Sequence, residues 1–255
     1  MKNNPAGDDS GPEPRVGDLV ARLADTAAGG SLDRREQGRA ISSLARALTG
    51  SARQAGRASV LGGRWLTDVL IDVVPRIPVR DLETLQAQHP GLGREDLATM
   101  LISGAAKATG AVGAAGGALA AVEFAATPTL LAAPVQIAAE TLVIAAIEIK
   151  LIAELHEVYE AGIAGSPSHR AAAYLQSWTN RRGIDPFAPG GLRLSVGVAA
   201  RRAIRRRLVR RAGRNLSTLG PMMSGALAGS VLNHRETRKL GEEVRADLQP
   251  RTGLR

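Results

Sequence analysis

Residues 104–122 hold only four side chains outside the set Gly, Ala, Ser and Thr: Lys107, Val112, Leu119 and Val122. Five of these 19 positions are glycine. Each glycine costs a helix about 1 kcal/mol relative to alanine, so roughly 5 kcal/mol has to return from packing. Gly110, Gly113, Gly116 and Gly117 fall at GxxG and GxxxG spacing. That spacing lays bare backbone along one helix face and lets a second helix come close. A segment of this kind must be buried against something.

The flanking pattern says what else is present. Thr127-Pro128 to Pro134 predicts a turn, and the apolar series Ile137, Leu142, Ile144, Ile147, Leu151, Ile152 and Leu155 predicts a long helix over about 135–164. The two segments together make a helical hairpin. Gly225 and Gly229 repeat the GxxxG spacing inside an uncharged stretch, 215–234, and a polar helix over about 235–248 follows it. Trp65, Leu66, Val69, Leu70, Val73 and Val74 mark a helix that Pro75 and Pro78 stop, because proline lacks the amide donor the next turn needs. Short helices are expected over 79–88 and from Ser166-Pro167 to Arg182, with a Pro/Gly-rich linker at 185–191. No segment alternates with period two. The expected fold is all-α: a helical bundle around a central Gly/Ala hairpin, with a disordered N-terminal tail.

Domain organisation follows from composition. Residues 1–15 are polar and rich in Pro and Gly, which predicts a disordered tail; they carry no apolar core of a secretory signal, so a cytoplasmic chain is expected. Residues 16–58 read as an amphipathic helical appendage, with Val16, Leu19, Val20 and Leu23 on one helix and Ile41, Leu44, Ala45 and Leu48 on the next. The second is rich in charge, which predicts exposure. Residues 59–248 form the main helical domain and 249–255 a flexible C-terminus.

Several chemistries are excluded or unsupported. With no cysteine there are no disulfides, thiol nucleophiles or zinc–thiolate sites. Aromatic residues are only 2% of the chain, too few for base-stacking platforms along a single-strand groove. There is no GxSxG elbow and no P-loop, and Gly110-x-x-Gly113-x-x-Gly116 does not follow a strand. Glu123, Glu140, Glu148, Glu154 and His156 could suggest a metal site between helices. Glu154-Leu155-His156 has the wrong spacing for one, however, and ion pairs with Lys107, Lys150 or an arginine are the simpler reading. No enzyme, no cofactor and no metal are expected, and no small-molecule substrate is identified.

Charge is distributed very unevenly. Between Arg181 and Arg214 stand 11 arginines against one acid, Asp185, in a chain whose net charge is +9. Arg201, Arg202, Arg205, Arg206, Arg207, Arg210, Arg211 and Arg214 interleave with Ala200, Ile204, Leu208 and Ala212 at every fourth position. A basic amphipathic helix over 192–214 is expected, suited to the anionic cytoplasmic face of a membrane or to a partner in it. The alternative is phosphate contact with nucleic acid. The chain is therefore expected at the inner face of the cell membrane as a peripheral protein. Insertion of the 108–153 hairpin is disfavoured, because each acid at the centre of a span costs about 3 kcal/mol.

The order of these pieces resembles the EcsC family of bacterial proteins. The resemblance rests on Ile77-Pro78 after an amphipathic helix and on Ala105-Ala106-Lys107-Ala108-Thr109-Gly110 running into Gly113–Gly117. It continues in Glu123 before Pro128, in a long helix ending Glu-Leu-His-Glu-Val-Tyr, and in Gly220-Pro221-x-x-x-Gly225-Ala226 with Asn233, Thr237 and Gly241 beyond. It covers about Trp65 to Leu248. The chain departs from the family in Glu-Phe-Ala-Ala-Thr-Pro, where the family more often has an Asp close to a proline, and in its dense arginine run. The resemblance implies a helical architecture and a membrane neighbourhood, and supplies no catalytic residue.

Overall fold

The computed structural model describes residues 16–28, 34–55, 64–125, 132–182 and 221–249. These form eight α-helices and no strand. The fold is all-α, as the sequence pattern implies. In chain order they are α1 (Val16–Ala28), α2 (Arg34–Ala55), α3 (Arg64–Val73), α4 (Leu82–Gln88), α5 (Arg94–Ala125), α6 (Ala132–Val158), α7 (Pro167–Arg181) and α8 (Pro221–Leu248). The expected tail at 1–15 and the expected arginine helix at 192–214 lie outside the described residues.

Local chemistry accounts for several boundaries. Asp81 caps α4, its carboxylate accepting from the Thr84 amide at 2.8 Å, which also holds that carboxyl below the usual range. Ser166 caps α7 through the His169 amide at 3.2 Å, and Pro167 follows at the first helical position, where no amide donor is missed. Pro75 converts the end of α3 into the 3-10 turn Val74–Arg76. Glu160, with φ 53°, ends the α6 run, so that helix stops six residues short of the expected Ala164.

α6 is the central element. Leu142 to Leu155 is buried along its whole length, on every face, which is why the segment shows no amphipathic stripe. α5 runs antiparallel to it: Glu95, near the start of α5, accepts from the Tyr159 hydroxyl just past the end of α6, and six residues join the other ends. α7 also lies against α6, its Tyr174 meeting His156 edge-on with ring centroids 5.3 Å apart.

The partner of the glycine face is not the other arm of the hairpin. It is α8. An added Cβ at Gly113 would stand 2.8 Å from the Gly229 carbonyl oxygen, and one at Gly229 would stand 3.1 Å from the Gly113 oxygen. Gly110 faces Ser230 and His234, and lower down Gly241 of α8 takes Ile102 and Leu151 against its bare backbone. The two helices are antiparallel, since Gly113 meets Gly229 while Thr99 meets Arg245 and Glu95 meets Gln249. α8 itself is one continuous helix. The sequence pattern separates an uncharged stretch from a polar helix at 235, but Pro221–Leu248 carries both halves without a break.

The appendage expected over 16–58 is corrected. Val20, Leu23 and Ala24 of α1 and Ile41, Leu44, Leu48 and Ala52 of α2 belong to the same buried cluster as α5 and α6. Glu36, Arg39 and Arg46 of α2 are exposed, and its apolar stripe closes the core. Trp65 ties α3 to α2 by donating to the Ser51 hydroxyl at 2.9 Å.

Both tyrosines of the chain lie in this interior. Burial and the Glu95 carboxylate push Tyr159 up to about 12, and burial raises Tyr174 as well. An unfolded tyrosine ionises near pH 10, so the stability these groups contribute is intact below that value and is lost as pH rises towards 12. Tyrosinate absorbance of the folded protein is expected to stay flat through pH 10 and to rise only with loss of helical circular dichroism. A normal titration near 10 in the folded state contradicts the burial.

Candidate functional site

The acids and the lysine of α6 are the strongest departures from a plain apolar core. Glu140, Glu148, Lys150 and Glu154 are all buried. The structure gathers the last three into two separate polar clusters.

In the first, Lys150 and Glu154 lie one turn apart and pair at 2.8 Å. Arg80, on the connection before α4, grips Glu154 with two donors, Nε to Oε1 and Nη2 to Oε2, each at 2.8 Å. Lys150 also donates to the Pro78 carbonyl and pairs with Asp25 of α1 at 3.1 Å. Two cations thus face two anions, and the Arg80 guanidinium rises in pKa through its hydrogen bonds to Glu154. Lys150 and Arg80 share Glu154, so the cluster reaches neutrality only with Asp25.

Replacing Asp25 by asparagine is expected to destabilise the fold by about 1–3 kcal/mol, since Lys150 and Arg80 are left to share the single anion Glu154. Combining it with Lys150→Met is expected to recover most of that loss. Chemical denaturation of the four proteins in a double-mutant cycle measures it. Additive effects would show that Asp25 and Lys150 are not coupled.

In the second cluster, Glu148 accepts from groups on two neighbouring helices and from the residue that ends one of them. Trp178 Nε1 of α7 donates at 2.8 Å, Thr237 of α8 at 2.7 Å, and Arg182 from the end of α7 through Nε at 3.2 Å and through Nη2. The Thr109 hydroxyl of α5 donates in turn to Thr237 at 2.9 Å. Four helices therefore meet around one carboxylate. Arg182 reaches out to Glu236 at 3.1 Å as well, and Arg181 pairs with Asp247 at 2.7 Å. These two arginines, at the start of the basic run, are committed to the fold.

In both clusters the carboxylate oxygens of Glu148 and Glu154 accept from donors fixed in the fold. His156, whose pKa burial lowers, bonds through Nδ1 to the Ile152 carbonyl at 2.7 Å and meets the Tyr174 ring. Among the described residues no group of three or more His, Asp or Glu side chains is placed to hold a metal ion. A surface recess of about 560 Å³ is lined by Asp68, Ile71, Asp72, Pro75 and Arg76. Its one cation, Arg76, is already held by Asp72 at 2.5 Å and by Asp18 at 3.7 Å.

The other sequence candidates divide as follows. Gly110 and Gly113 of α5 and Gly229 of α8 form the close helix contact. Gly116 and Gly117 lie further along α5, and Gly225 one turn before Gly229 on α8. Glu123 lies near the end of α5. Arg201, Arg202, Arg205, Arg206, Arg207, Arg210, Arg211 and Arg214 lie outside the described residues. Sequence reasoning missed Arg80, Asp25, Trp178 and Arg182 as partners of the α6 charges. Only the Lys150–Glu154 spacing, one helical turn, carried a local signal. Among the described residues one helical stretch, Arg94–Ala115, is long and apolar enough to cross a membrane, but 61% of its apolar window is buried inside the protein. No protein-family model, curated protein or solved structure matches the chain.

Proposed function

We propose that this is a non-enzymatic helical protein that binds the anionic cytoplasmic face of a membrane, or a partner within it, through Arg201–Arg214. The observation that carries this reading is the partition of charge. The described residues contain equal numbers of acidic and basic side chains, and nearly all of the +9 falls within 183–220. A near-neutral helical body with one dense cationic segment is built to meet a polyanion, because eight neighbouring arginines repel one another until counter-charge is supplied. Each guanidinium near an anionic bilayer contributes about 1 kcal/mol. The polar partners of Glu148, Lys150 and Glu154 favour a hairpin that stays packed in protein over one that spans lipid. The likeness of the Gly110–Gly117 and Gly220–Gly241 patterns to the EcsC family points to the same membrane neighbourhood.

Flotation with phosphatidylcholine vesicles, with and without phosphatidylserine, tests the reading. Binding is expected only to the anionic vesicles. Changing Arg205, Arg206 and Arg207 to glutamine is expected to weaken it by about 3 kcal/mol, roughly a hundredfold. Equal binding to neutral vesicles, or no effect of the triple change, contradicts it. Salt-sensitive binding to duplex DNA without vesicle binding would assign the arginines to nucleic acid instead.

A further inference from the structure

His156 stands at a helix junction, and its contacts fix which ring nitrogen carries hydrogen. It lies near the end of α6, half-buried, with its ring edge-on to Tyr174 of α7. Nδ1 stands 2.7 Å from the Ile152 carbonyl oxygen, one turn back along α6. A carbonyl oxygen only accepts, so Nδ1 carries the hydrogen. In the neutral imidazole Nε2 then holds a bare lone pair, and a second proton enters there. The Ile152 bond and the Tyr174 ring hold the imidazole in place, so the new charge arises at a fixed, half-buried point.

Arg181 is the cation that such a proton meets. Tyr174 and Arg181 are two turns apart on one face of α7. Helical side chains lean toward the helix N-terminus, which brings Arg181 back toward the level of Tyr174 and His156. Among the described residues Arg181 pairs with one carboxylate, Asp247 of α8, which is 67% exposed. Its Nε is buried with no acceptor among the described residues. The acid that faces His156 from its own helix is Glu157, and Arg170 of α7 faces Tyr174. Other charges close by are committed: Glu148 to Arg182, Glu154 to Arg80 and Lys150, and Arg245 of α8 to Glu242. Arg76, on the 3-10 turn packed against α7, is held by Asp72 and Asp18.

From this cluster we infer that His156 makes the junction of α6, α7 and α8 acid-sensitive: closed while the imidazole is neutral, loosened when a proton on Nε2 sets a second cation beside Arg181. The contact at risk is Arg181–Asp247, which with Arg182–Glu236 ties α7 to α8. The device is independent of the membrane reading. Burial holds the His156 pKa below the ordinary histidine value and Arg181 adds to the effect, while the Ile152 carbonyl and Glu157 pull the other way. The unfolded chain takes up this proton near pH 6.5 and the folded protein only at lower pH. The stability that His156 contributes is therefore complete above about pH 6.5. It is lost as pH falls below that value, by up to about tenfold in the folding constant per pH unit. Tyr174, raised by burial, stays neutral throughout.

Nitrogen-15 spectra of the imidazoles in the full-length protein test the inference. The chain has four histidines, and the signal missing from His156→Asn assigns the relevant one. His156 is expected to show the Nδ1–H tautomer at neutral pH and to titrate below about 6.5. Arg181→Met is expected to raise its pKa, and Asp247→Asn to lower it, because the two remove opposite charges from one pair. If one of these variants fails to give the native circular dichroism, the other reads the same coupling. Urea unfolding at about pH 7.5 and about pH 5.5 is expected to show a larger acid loss for the native protein than for His156→Asn. A His156 that titrates at or above the ordinary value, that carries its hydrogen on Nε2, or whose pKa ignores the charge changes overturns the inference. An equal acid loss in His156→Asn overturns it as well.

Discussion

Replacing Glu148 by alanine is expected to cost about 3–5 kcal/mol of folding free energy, because it strips a buried cluster of its only anion. Three donors lose their acceptor together: Trp178 Nε1, the Thr237 hydroxyl and the inner edge of the Arg182 guanidinium. The guanidinium is about three-quarters buried at 23% exposure and keeps only Glu236, an exposed partner. For a chain of this size that loss corresponds to a fall in melting temperature of roughly 6–20 °C. Glu148→Gln is expected to lie between alanine and the native protein, since it keeps one acceptor oxygen while its amide nitrogen faces donors. Glu148→Leu with Arg182→Leu is expected to recover part of the loss, as apolar replacements of buried ion pairs commonly do. Thermal unfolding followed by circular dichroism decides the matter. A loss below about 1 kcal/mol for Glu148→Ala would mean that the cluster is not the joint between α5, α6, α7 and α8.

The legible and illegible parts of this fold have different physical causes. Helix ends at Pro75 and Ser166 were readable because their chemistry is local, acting on amides within a turn; the cap at Asp81 was passed over, and the helix expected from 79 begins at Leu82. The burial of α6 was readable too, from an apolar run too long to be half exposed. What the sequence withheld was pairing. GxxxG spacing announces that some backbone will come close, yet Gly110 and Gly113 carry no mark of whether the hairpin arm or α8 supplies it. At α2 the stripe Ile41, Leu44 and Leu48 was legible, but the helix's many charges pointed to exposure, whereas the stripe joins the core. Composition misled again at residue 235, because a change from uncharged to polar residues resembles a boundary, while helix geometry needs none. Partners of buried charge are the hardest case. Glu148 demands a counter-cation, and that demand is readable, but Arg182 lies 34 residues away and only the antiparallel course of α7 brings it there.

The glycine contact yields a prediction in which two chemically identical substitutions move stability in opposite directions. Gly113→Ala adds one methyl where the Gly229 carbonyl oxygen and carbon stand at 2.8 and 2.9 Å and where Asn233 crowds from the same side. The obstacle is helix backbone, which cannot rotate away, so α5 and α8 must separate or shift. The expected loss is about 1–3 kcal/mol, and it survives the gain of up to 1 kcal/mol that alanine brings to a helix. Gly50→Ala, on α2, adds the same methyl with nothing within 4 Å and is expected to stabilise by about 0.5–1 kcal/mol. Helix propensity alone predicts that both proteins become more stable, so the sign at Gly113 isolates the contact. Gly113→Val is expected to lose more than alanine, because a branched side chain needs still more space between the helices. Gly229→Ala is expected to lose less than Gly113→Ala, since its nearest neighbour, the Gly113 oxygen, stands at 3.1 Å. Urea unfolding of the four variants ranks them. Should Gly113→Ala prove as stabilising as Gly50→Ala, α8 does not lie in backbone contact with α5 at Gly229.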